Sequence, residues 1–205
     1  MILKPDRQYT FSEIFKLDAD IDDLLNELGY TYRTQKLDLV PYPIPSEVAQ
    51  DLQEEFYRYW PKISFKSEIA RREFIISDIL KALLDHVEFR IEPQYKITSE
   101  RLRGSVDYLL RGERQCVVIE AKNDEMERGF RQLAVELIAA SEHLKQDRLY
   151  GAVTTGRMWT FGFLDRNECT ITPDIDIFTA PVGVGDLMNT LAGLIVSDRL
   201  KTGVS

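Results

Sequence analysis

Apolar residues recur at helical spacing over residues 11–28 (FSEIFKLDADIDDLLNEL), and Gly29 stands where a C-cap belongs. Residues 30–40 then alternate enough to predict an edge strand, before Pro41, Pro43 and Pro45 impose an extended connector that cannot sit inside a sheet. This is the best candidate boundary along the chain. Ser46 is placed to cap a helix through Trp60 with Val48, Leu52, Phe56 and Tyr59 on one face. Ser67 caps a second helix, SEIARREFIISDILKALLDHV, whose inward set is Ile69, Ile76, Leu80, Leu83 and Val87.

The pattern next changes to strands: 89–97, 105–110 and 115–121, each bounded by turn or polar residues. Asp124 is placed to cap a long amphipathic helix to about Lys145, with Phe130, Leu133, Leu137, Ser141 and Leu144 inward and Glu125 and Glu127 at its positive end. Two further strands, 149–153 and 158–163, flank Thr155-Gly156, and a last helix runs from about Asp186 to Leu200. Helix, three strands, helix and two strands predict an α/β sandwich with a central mixed sheet flanked by helices, because a long crossover helix suits a parallel connection.

Composition narrows the classes. At 205 residues, 44% apolar and 29% charged, the chain has the make-up of one globular unit. No apolar run reaches the roughly 18–20 residues of a membrane span, and MILKPDRQYT lacks the apolar run of a signal peptide, so a cytoplasmic protein without a membrane partner is expected. Cys116 and Cys169 lack metal or disulfide spacing and read as buried thiols. The net charge of −8 argues against non-specific coating of nucleic acid, although Arg71, Arg72, Arg101, Arg103, Arg111, Arg114, Arg128 and Arg131 gather near the segments described next.

Arg111-Gly112-Glu113-Arg114 fits a two-residue II′ hairpin turn, in which Arg111 faces Arg114 and Asp107 faces Val118. Residues two apart on a strand share a face, so Asp107, Glu120 and Lys122 project to one side; a loop longer by one residue would separate them. Glu120 and Lys122 interrupt the apolar strand VVIEAK at a desolvation cost that calls for a partner or a metal. The tripeptide E-x-K alone is common and reads as an intrastrand salt bridge; Asp107 on the preceding strand shifts the balance toward a site. Two carboxylates with substrate oxygens suit Mg²⁺, with Mn²⁺ as substitute, and Lys122 is placed to orient a water or stabilise a pentacoordinate phosphorus.

GSVDYLL, a short turn, CVVIEAKND and a helix containing RQLAVEL resemble the PD-(D/E)xK nuclease superfamily, and more closely the nuclease region at the N-terminus of type I restriction R subunits. The resemblance implies a restriction-endonuclease-like core in the order αβββαβ from about Ser67 to Phe163, and a Mg²⁺-dependent nuclease acting on DNA. By position Asp107, Glu120 and Lys122 take the motif roles, the Ala121 carbonyl becomes a further metal ligand, and Gln132 matches the extra Gln of several subfamilies. An acidic residue of the first helix assists; Glu68 is assigned to it, with Glu73 a rival nearer the centre of the apolar stripe. Val106 stands where the motif's Pro would be. The domain reading is residues 1–62 as a helical and extended element for dimerisation or recognition and 63–205 as the nuclease-like domain, a homodimer being left open because two-site cutters pair. The alternative is a catalytically silent nuclease-fold binding or regulatory module, consistent with the acidic balance.

Other signals read as structural. His86 and His143 have no second histidine at metal spacing, and Tyr57, Tyr59 and Trp60 at helical spacing read as core and not as a base-stacking platform. Arg157 and Trp159 flank the Thr154-Thr155-Gly156 turn, close to a strand end where substrate could lie.

Overall fold

The structure, a computed structural model, describes residues 2–4, 6–17, 19–113, 115–122 and 126–196. In chain order its elements are β1 Tyr9–Thr10, α1 Phe11–Phe15, α2 Ile21–Glu27, β2 Thr31–Tyr32, α3 Ser46–Tyr59, α4 Glu68–Arg71, α5 Ser77–Leu83, β3 Arg90–Thr98, β4 Leu102–Arg111 and β5 Cys116–Ala121. There follow α6 Met126–Leu144, β6 Arg148–Thr154, β7 Met158–Asp165, β8 Thr170–Pro173, β9 Phe178–Thr179 and α7 Val184–Val196. The nine strands among the described residues form one mixed sheet in the order β1-β4-β5-β6-β7-β8-β2, with β3 on β4 and β9 on β7. The fold is α/β, a large mixed sheet flanked by helices. Among the described residues no helix is long and apolar enough to cross a membrane.

The α6 crossover makes β5 and β6 parallel, as its length suggests. Each sheet face carries its own core. On one, α3, α5 and α7 place Phe56, Ile79 and Leu191 over Val117, Ile119 and Phe161. On the other, α1, α2 and α6 place Phe11, Leu25 and Leu133 over Leu109, Val118 and Val153.

Several local expectations are corrected. The single helix over 11–28 is two helices, because Asp20 caps α2 by accepting from the Asp22 N–H at 2.8 Å, where continuous helix was expected. Gly29 does follow that helix in the left-handed region, at φ +84°. Of the 30–40 strand only Thr31–Tyr32 pairs in a ladder, parallel to β8, with one further bridge from Gln35 to Asp174. Ser46 opens α3 without a side-chain cap bond, the N-cap being Pro45, and Tyr59 is 40% exposed. The helix capped by Ser67 contains a π-helical turn at Arg72–Ile76, which inserts one residue and turns Ile69 out to 64% exposure while Ile76, Leu80 and Leu83 remain buried. Cys169 is exposed, at φ +50°, not buried as Cys116 is. The expected cap at Asp124, the acid at Glu125, Arg114 of the turn and the helix end beyond Val196 lie outside the described residues.

The hairpin register is corrected too. Arg111 pairs with Cys116 and not Arg114, and Leu109, not Asp107, faces Val118. Four residues connect the strands, with Gly112 N–H donating to the Gln115 carbonyl at 2.8 Å. The pairing has slipped by two positions from the expected one. An even slip leaves Leu109 on the face of Val118 and Leu110 on that of Val117, but Val106 packs with Leu109 and not with Tyr108, so β4 changes parity beside Asp107.

Candidate functional site

β3 runs along one side of β4 from Arg103 to Arg111. The other side is shared by β1, at Leu102 and Arg103, and β5, at Tyr108–Arg111. Between them β4 and β5 part, and Asp107 stands at the fork. Its Oδ2 accepts the Ala121 N–H at 2.9 Å, so a carboxylate replaces the next rung of the ladder. Its Oδ1 accepts from Gln94 Nε2 at 2.9 Å and pairs with Arg72 Nη1 at 2.9 Å. Gln94 sits at φ +51°, an uncommon conformation for a side-chain-bearing residue, held in the middle of β3.

Glu120 and Lys122 leave β5 beside the fork. Lys122 Nζ lies 2.5 Å from Glu120 Oε1, and Gln132 Nε2 of α6 donates to the same oxygen at 2.6 Å. Gln132 Nε2 also reaches Glu136 Oε1 at 2.7 Å, while Glu136 Oε2 is buried without a hydrogen-bond partner among the described residues. Gly129 allows this close approach of α6: a Cβ there would come within 2.8 Å of both Lys122 Cγ and Val153 Cγ1. Lys122 is bounded on its remaining side by the Phe15 ring, 5.1 Å from Nζ.

Glu68, at the start of α4, completes the group. Its carboxyl is raised above its usual range, first by burial and then by the charge of Asp107, with Lys122, Arg72 and Arg71 pulling it down. Glu73 is exposed. The five residues assigned from sequence, Glu68, Asp107, Glu120, Lys122 and Gln132, therefore fall in one electrostatic neighbourhood, with the Ala121 backbone inside it. Sequence reasoning left out Gln94, Glu136 and the ion-pairing role of Arg72. Glu136 was signalled by its i+4 spacing from Gln132 on one helix face, and Arg72 by the same spacing from Glu68.

The charges are unbalanced. Four carboxyl groups (Glu68, Asp107, Glu120 and Glu136) meet two cations (Arg72 and Lys122) at a largely dry locus, where Glu120 is 4% and Glu136 0% exposed. Burial, then Asp107, pushes Glu120 up to about 7 against the pull of Lys122. Burial, then Glu120, pushes Glu136 well above the carboxylate range. Burial works against the Lys122 ammonium, but Glu120 outweighs it and Lys122 is held above its ordinary value.

No group of three or more His, Cys, Asp or Glu close enough to hold a metal occurs among the described residues. Two carboxyl groups at one fork and the unpartnered, buried Glu136 oxygen are oxygen donors of the kind Mg²⁺ takes.

The signals discounted above divide. His143 is structural, stacked edge-on against Tyr95 at 5.9 Å and 3.1 Å from the Thr98 carbonyl. Trp159 is buried and donates to the Gly156 carbonyl at 3.1 Å. Tyr57 and Tyr59 are exposed and Trp60 is half-buried, so this aromatic set is not core. Protein-family models, curated proteins and solved structures all fail to match the chain.

Proposed function

We propose that this chain is a Mg²⁺-dependent nuclease of the PD-(D/E)xK type that hydrolyses DNA phosphodiester bonds, on a restriction-endonuclease-like core ordered αβββαβ from about Ser67 to Phe163. The observation that carries the reading is the fork at Asp107, where Glu120 and Lys122 of the neighbouring strand meet Glu68 and Gln132 of two flanking helices. A structural salt bridge needs only Glu120 and Lys122; it has no use for two further acids and an amide at the same locus.

Mg²⁺, when bound by Asp107, Glu120 and the Ala121 carbonyl, would neutralise charge on the phosphate and acidify a water. The protein's own residues do the rest. Lys122 Nζ offers three donors beside Glu120, enough to hold a water in line with the phosphorus and to steady the charge that builds on phosphate oxygens. Gln132 fixes Glu120 Oε1 by donating to it at 2.6 Å. Glu68, held above its usual range, is suited to take a proton from the attacking water. Phe15 and the α6 backbone at Gly129 limit solvent around Lys122.

Nicking of supercoiled plasmid across a Mg²⁺ titration tests this. Lys122→Ala and Asp107→Ala should each slow cleavage by about 10²–10⁴-fold, and chelation should stop it. Equal rates in wild type and both variants would defeat the mechanism.

A second reading is a nuclease fold retained as a non-cutting module. It is favoured by the engagement of both Asp107 oxygens, by Arg72 and Gln94 on one and the Ala121 N–H on the other. Calorimetric Mn²⁺ binding that vanishes in Glu120→Gln counts against it.

A further inference from the structure

A recess of about 670 Å³ is lined by Trp60, Phe65, Arg71, Thr155, Arg157 and Met158 among others. None of its described lining residues is acidic, in a chain of net charge −8. Two aromatic rings form one wall: Trp60 and Phe65 lie with centroids 4.5 Å apart at 37°. Two guanidinium groups border it. Arg157 Cζ stands 5.4 Å from the Trp60 centroid, and Arg71 is anchored by Nε donating to the Phe65 carbonyl at 2.9 Å.

Arg157 is exposed, yet its backbone is held firmly. Gly156 turns the chain at φ +82° and its N–H donates to Thr154 Oγ1 at 2.8 Å. Met158 N–H donates to Thr155 Oγ1 at 3.2 Å, and the Arg157 carbonyl accepts from Ala180 N–H at 2.9 Å. The same turn is tied to the fork, because the Thr154 carbonyl accepts the Lys122 N–H at 2.8 Å. The arginine pair on the Ser67-capped helix joins the two places again: Arg71 borders the recess, and the adjacent Arg72 pairs with Asp107.

We infer that this recess receives an unpaired nucleotide, one neighbouring the phosphodiester at the fork, and that the preferred substrate is therefore single-stranded DNA or a frayed end. A planar base finds aromatic and guanidinium faces here, and its phosphate finds two cations. In an intact duplex those base faces are stacked inside and cannot reach a recessed wall. The inference rests on the nuclease reading for its substrate but on different residues for its geometry.

The test is fluorescence anisotropy with a fluorescein-labelled oligo-dT 12-mer, in EDTA so that nothing is cut. Arg157→Ala, an exposed position that leaves the core untouched, should weaken binding about tenfold or more, and Trp60→Leu should do the same. Arg90→Ala removes one charge at the end of the β3–β4 ladder where Arg90 pairs with Arg111, outside the lining of the recess, and should change affinity less than twofold. An unlabelled blunt duplex of equal length should compete poorly. Wild-type protein that does not bind the 12-mer, or variants that bind as wild type does, would overturn the recess. Mg²⁺-dependent cleavage persisting alongside that result leaves the nuclease standing, whereas loss of affinity in Arg157→Ala of a protein that never cuts removes the nuclease and keeps the recess.

Discussion

At the scale of single residues, the fork is a place where charge has been buried beyond what its partners balance. Glu120 shows the consequence in its titration. Its carboxyl rises from an ordinary 4.5 to about 7, so between those values the folded chain keeps a proton that the unfolded chain has released. Stability from this group is complete below about pH 4.5 and is lost as pH climbs through 7. Glu136, also raised, acts in the same direction. Urea unfolding in EDTA at pH 5, 6, 7 and 8 should therefore show stability falling by up to about 1.4 kcal/mol per pH unit for each proton in play. Glu120→Gln should flatten that fall between pH 5 and 7; an unchanged slope would mean that Glu120 ionises like a surface acid. E-x-K made Glu120 and Lys122 legible in the sequence. Glu136 carried only the weaker signal of its i+4 spacing from Gln132, and its burial shows only once its neighbours are known.

At the scale of elements, what could be read depended on which errors cancel. The β4–β5 connection is longer than a two-residue turn, yet the slip was even, and Asp107 still meets β5 where it accepts the Ala121 N–H beside Glu120. The Ser67-capped helix shows the opposite case. A regular 3.6-residue period puts Ile69 in the apolar stripe, but the π turn at Arg72–Ile76 adds one residue and rotates everything before it. That rotation accompanies the arrangement of Arg71 at the recess and Arg72 at Asp107. Periodicity cannot report an inserted residue, since the sequence spacing is unaltered and only the backbone changes. Two substitutions separate the phases. Ile76→Ala should cost about 2–5 kcal/mol, as expected for a fully buried side chain. Ile69→Gln, at an exposed position, should change stability by less than about 0.5 kcal/mol. Urea midpoints for the pair decide it; a large loss in Ile69→Gln would restore the unbroken helix.

At the scale of the whole molecule, the prolines at 41, 43 and 45 marked a boundary in the sequence, and what they separate is joined again by long-range pairing. β1 pairs with β4 and β2 with β8, so residues from the first third of the chain occupy both ends of the sheet order. Phe11, Ile14, Leu24 and Leu25 are buried in the α6 core, and Ile44, Leu52 and Phe56 in the α7 core. The connector itself is clamped, Tyr42 N–H to the Asn189 carbonyl at 2.9 Å and Ile44 N–H to Asn189 Oδ1 at 2.8 Å. Such pairings join residues more than ninety positions apart and leave no local signature, which is why the pattern of apolar positions suggested a separable element. Their weight decides whether one exists. Seven buried side chains at roughly 1.5–3 kcal/mol each amount to on the order of 10–20 kcal/mol, against the roughly 5–15 kcal/mol that stabilises a whole domain. A fragment of residues 63–205 should therefore lack a cooperative urea transition and near-UV circular dichroism, even though it retains Asp107, Glu120, Lys122 and every strand of the fork except β1. Should that fragment unfold cooperatively at the midpoint of the full chain, residues 1–62 would be an appendage after all, and the strands they add would contribute nothing to holding the fork in shape.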